Sequence, residues 1–90
     1  MRTVWKYQIP IKDYFELELP QGAKILTIQV QYGEPQLWAL VDPTAQLEFR
    51  LFRLSGTGHP ITNRNLDYIE TVQQLEGQFI WHIFEILSAT

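Results

Sequence analysis

The sequence has no cysteine and only one methionine in ninety residues. A missing thiol excludes disulfide staples, thiolate zinc sites, iron–sulfur ligation and a cysteine nucleophile, and it fits a reducing compartment. No long apolar run occurs either. Stretches such as Phe79–Trp81 and Ile83–Phe84 fall far short of the roughly 20 residues a membrane helix requires. Positive charge is scarce, with seven Lys and Arg against ten Asp and Glu and a net charge of −3. Proteins that grip duplex nucleic acid present a basic face, so the balance argues against that partner. The first sixteen residues lack the apolar centre of a secretory leader. The expectation is therefore a cytoplasmic protein with no membrane association.

What is present is a globular composition: 46% apolar, 19% charged, and three Trp, four Tyr and five Phe. Such a chain is too apolar for disorder. No linker, repeat or low-complexity tract divides it, so one domain over residues 1–90 is expected. At this length folding buries about 60–65% of the unfolded chain's surface, which leaves a thin core.

Period-two alternation dominates the chain. Thr3, Trp5, Tyr7 and Ile9 share one side of a first strand, and Phe15, Leu17 and Leu19 one side of a second. Leu26, Ile28, Val30 and Tyr32 do the same in a third, which ends at Gly33. Gln36–Asp42 is apolar on both faces, the mark of a central strand. Asp42-Pro43-Thr44 reads as a turn in which the Asp side chain bonds the backbone two residues on. In Leu47–Leu54 the inward set is read as Leu47, Phe49 and Leu51, with a bulge near Leu51 and Phe52 that re-aims Arg53. Tyr68–Leu75 forms a sixth strand, although Leu66, Ile69 and Val72 also suit a helical turn. Glu76-Gly77 is a two-residue hairpin turn into a seventh strand, Gln78–Leu87, apolar on both faces. The pattern predicts an all-β meander, an antiparallel sandwich or small barrel of seven strands.

The chemistry-bearing stretch is Ser55-Gly56-Thr57-Gly58-His59-Pro60. Two glycines two apart permit a sharp turn and a close backbone approach, and successive N–H groups can nest an anion. Arg50, Arg53 and Arg64 make residues 50–64 the one locally positive window. A phosphate or carboxylate would suit it. The same loop also reads as a wide connection whose glycines only satisfy turn geometry. It is not a P-loop, because the Gly-Lys-Ser/Thr ending is missing. His82, between Ile80 and Phe84, reads as a hydrogen-bonded core residue. With His59 it makes two histidines and no third ligand at metal spacing, and neither Ser55 nor Ser88 has a base nearby in sequence. Glu16 and Glu18 read as a solvated strand face. The aromatics Trp5, Trp38 and Trp81 fit core packing, an interface, or a platform on which a ring stacks.

The ordered set Val4-Trp5-Lys6-Tyr7, Leu19-Pro20-x-Gly22-Ala23-x-Ile25-Leu26, Leu37-Trp38-Ala39-Leu40-Val41-Asp42, Gly56-Thr57-Gly58-His59-Pro60-Ile61 and His82-Ile83-Phe84-Glu85 resembles an uncharacterised family of short proteins common in bacteriophages and bacteria. Glu70 departs from that pattern, where a small residue is usual. The resemblance implies a setting rather than an activity: stoichiometric binding, by sequestering a small signalling molecule or blocking a host protein.

The resulting expectation is a protein without turnover that holds an anionic, nucleotide-like ligand. Arg50, Arg53, Gly56, Thr57, Gly58 and His59 would meet phosphate, and Trp38 would stack a base. No cofactor and no metal is expected. The alternative is an interaction module that inhibits a host protein through an aromatic or strand-edge surface. Either way a homo-oligomer is expected, since ninety residues enclose a pocket poorly. In a phage setting the location is the host cytoplasm.

Overall fold

The computed structural model describes residues 1–87, so Ser88 lies outside the described residues. Seven strands form: β1 (Thr3–Gln8), β2 (Tyr14–Pro20), β3 (Lys24–Gln31), β4 (Glu34–Val41), β5 (Leu47–Gly56), β6 (Leu66–Gln74) and β7 (Phe79–Ile86). They build two antiparallel sheets, β1-β4-β3 and β2-β5-β7-β6. No helix forms among the described residues, so none is long and apolar enough to cross a membrane. Both strands that are apolar on both faces, β4 and β7, sit inside their sheets, flanked by a strand on either side.

The sheets pack face to face over Ile28, Leu37, Ala39 and Val41 from one and Phe15, Leu19, Phe52, Leu54, Val72 and Ile83 from the other. Phe15 and Phe52 are cross-strand partners whose rings stack with centroids 5.1 Å apart. Along one margin β3 lies against β6. There Glu70, where the sequence resemblance implied a small residue, accepts a hydrogen bond from Thr27 Oγ1 at 3.1 Å. A side chain thus ties the sheets together where a small residue was expected.

The order is not a simple meander, because β2, β3 and β5 each enter a sheet other than their predecessor's. The Asp42 turn forms as read, with Asp42 Oδ1 accepting from Thr44 N at 3.0 Å and Thr44 Oγ1 at 2.7 Å. Those bonds hold the Asp42 carboxyl below its ordinary range.

Three local readings are corrected. Strand β5 has no bulge, and its pairing with β2 runs without interruption from Tyr14↔Arg53 to Pro20↔Leu47. Facing residues of an antiparallel pair share a sheet face. Buried Phe15 therefore carries Phe52, Arg50 and Glu48 inward, while Leu47, Phe49 and Leu51 point out and are 52%, 63% and 44% exposed. The bulges lie instead at Ile25/Thr27 in β3 and Tyr68/Glu70 in β6. Leu26 is thereby turned out, and Tyr32 belongs to a hairpin tip where it is 96% exposed. The β6–β7 connection is a four-residue turn, with Leu75, Glu76 and Gly77 all at positive φ.

Candidate functional site

Strand β5 ends in a tight turn. His59 N donates to Gly56 O at 3.1 Å, and Gly58 sits at the third position with φ of +87°. That is the type II arrangement, which demands a positive φ and hence glycine. The first glycine serves a different purpose. A Cβ on Gly56 would lie 3.1 Å from His59 Nδ1 and Cε1, so the imidazole rests directly on bare backbone.

Register brings β7 to this turn, because Gly56 pairs with Trp81. Phe79 and Trp81 lie two apart on one face of β7, and their rings stack with centroids 5.7 Å apart and planes 7° from parallel. Trp81 Nε1 donates to Gln74 Oε1 at 2.7 Å, which fixes the indole plane. The turn and the aromatic pair are the two walls of an open cleft of about 380 Å³, lined by Gly56, Thr57 and His59 on one side and Gln78, Phe79 and Trp81 on the other.

Behind the cleft runs a polar chain. Thr57 Oγ1 lies 2.7 Å from His82 Nε2, and His82 Nδ1 lies 2.9 Å from Thr71 Oγ1, which in turn lies 2.7 Å from Tyr68 Oη. A neutral imidazole accepts at one nitrogen and donates at the other, so both His82 nitrogens are engaged. The chain anchors the Thr57 side of the turn to β6 and β7.

The two arginines expected to meet a ligand serve the fold instead. Arg50 points between the sheets and grips Glu85 with two hydrogen bonds of 2.6 and 2.7 Å, then donates a third to Ala23 O at 2.6 Å. The Glu85 bond raises the already high guanidinium pKa, with burial opposing it. Arg53 points out of the sheet yet is 8% exposed. Its guanidinium donates to the carbonyls of Asp13, Leu54 and Pro60 and lies 4.9 Å from the centre of the Tyr14 ring. Arg53 therefore pins the loop after β5. Trp38 is on β4 in the other sheet, half-buried opposite Lys6 and Thr27. Of the residues singled out in the sequence, Gly56, Thr57 and His59 meet at the cleft, and Gly58 shapes it.

The sequence pattern gives no reason to place Phe79 or Gln78 in a site, and it leaves Trp81 open between core, interface and stacking platform. The i, i+2 spacing of Phe79 and Trp81 shows a shared face. Only the Gly56↔Trp81 register, which joins residues 25 apart, shows that the face looks onto the glycine turn.

Fold and site together define a small two-sheet β-sandwich carrying a cleft walled by a glycine turn and an aromatic pair. The chain belongs to a family described as a domain of unknown function, DUF7352, whose model matches residues 1–89. Neither the curated proteins nor the solved structures contain a match to it.

Proposed function

We propose that this protein binds a small planar ligand bearing an acceptor or anionic group, without turning it over. The carrying observation is the parallel Phe79–Trp81 pair lining the same cleft as the Gly56–His59 turn. A base or other flat ring stacks on the aromatic wall, where such contacts contribute about 1–3 kcal/mol. Its acceptor meets the turn and the His59 imidazole. Because Arg50 and Arg53 are engaged within the fold, the cleft carries no guanidinium. The reading therefore favours one phosphate or a carbonyl edge over a polyphosphate. In the phage setting implied by the sequence resemblance, sequestration of a nucleotide-type signal would use such a site.

The test is isothermal titration against nucleoside monophosphates, cyclic mono- and dinucleotides and triphosphates. Binding is expected for the first three classes, weakened roughly tenfold or more by Trp81→Ala. Absence of heat with every member rejects the proposal.

The second reading, a protein-interaction module, is favoured by the exposed apolar row Leu47, Phe49 and Leu51 on the outer face of β5.

A further inference from the structure

The two outer faces of the sandwich differ in charge. On the three-stranded sheet the outward rows run Val4–Leu40–Lys24, Lys6–Trp38–Thr27 and Gln8–Gln36–Gln29, ending at the Gln31–Glu34 pair. Val4 is 48% exposed, Trp38 and Leu40 are half-buried, and Lys6 and Lys24 are exposed. On the four-stranded sheet the outward rows are Glu16–Leu51–Ile86 and Glu18–Phe49, with Leu47 beside Pro20. Glu16 and Glu18 are exposed. The one cation at an outward position of that sheet's strands, Arg53, is covered by the loop. One face is thus apolar with lysines and the other apolar with glutamates. A shallow apolar groove of about 240 Å³, lined by Tyr14, Leu51, Ile86 and Glu16, could take a lysine's methylenes with its ammonium on the carboxylate.

We propose that copies of this chain stack head to tail, the lysine face of one on the glutamate face of the next. A face-to-face pair of glutamate faces would bring four carboxylates together with no exposed Lys or Arg at an outward strand position on either copy. The lysine face of a second copy supplies both the apolar cover and the opposite charge. Such an interface is heterologous, so it leaves one face of each kind open and the assembly can grow. Large exposed apolar patches on a small soluble chain mark such contacts.

Sedimentation or light scattering across a concentration series tests this. The weight-average mass is expected to rise with concentration past twice the 10.6 kDa chain mass, and to fall as salt shortens the screening length from about 14 to about 4 Å. The doubly reversed variants Glu16→Lys/Glu18→Lys and Lys6→Glu/Lys24→Glu change only exposed side chains. Each alone is expected to be monomeric, and mixing the two restores association. A monomer at all concentrations overturns the proposal. So does a discrete dimer that survives Lys6→Glu/Lys24→Glu, or a variant mixture that stays monomeric.

Discussion

Arg53 shows how a residue's role depends on what the fold lays over it. At an outward strand position a guanidinium is ordinarily solvated. Here three carbonyls and the Tyr14 ring enclose it. Arg53→Met would leave those carbonyls short of a strong donor. The expected loss is about 2–4 kcal/mol, seen as a melting temperature lower by roughly 10–25 °C. An unchanged melt would show that the loop is held otherwise. Tyr7 is the opposite case, since its hydroxyl is buried with no partner. Tyr7→Phe is expected to be neutral or up to about 1 kcal/mol stabilising in urea unfolding. Burial also raises the Tyr7 pKa above its ordinary 10.0. The folded state then favours the neutral phenol, so this contribution is complete below pH 10 and is lost as pH rises through the folded value. Wild type is expected to lose more stability than Tyr7→Phe between about pH 9 and pH 11. Equal losses would contradict the assignment.

Among the elements, turns and strand phase carried different amounts of information. The Asp42 turn and the Gly56–His59 turn were legible because their chemistry is local. An Asx bond spans two residues and a type II turn needs one glycine. Strand existence was equally legible, since alternation in β2 and β4 is local too. The phase of β5 was not. Leu47, Phe49 and Leu51 alternate as well as any core set, and a one-residue change of phase exchanges the two faces. What decides is Phe52 stacking on Phe15 across the pair, and no sequence pattern reveals a partner on another strand. The role of Arg50 was hidden for the same reason, its carboxylate partner being 35 residues away. Two substitutions test the turns. Gly58→Ala must adopt a φ of +87° and is expected to cost about 1–2 kcal/mol. Tyr32 holds φ of +52° at a fully exposed tip. Tyr32→Asn is expected to stabilise by about 0.5–1 kcal/mol, because Asn tolerates that conformation better. Destabilisation by Tyr32→Asn in thermal unfolding would show that the ring has a structural duty.

For the whole molecule, small size sets the terms. A thin sandwich has no room for a closed pocket, so the cleft is open at the end where the loop after β5 meets the β6–β7 turn. The hydrogen-bonded row from Thr57 to Tyr68 ties its glycine turn to β6 and β7. The sequence-level site was half legible: the glycine turn was visible, and its aromatic wall waited on register. The measurement that tests the cleft most directly is an amide and indole correlation spectrum recorded while the nucleotide panel is titrated in. The account predicts that the Trp81 indole and the amides of Gly56 through His59 shift together for at least one mononucleotide or cyclic nucleotide, with Trp38 unmoved. Spectra unchanged by every member, or shifts centred on Trp38 with the Gly56–His59 turn unmoved, would contradict it.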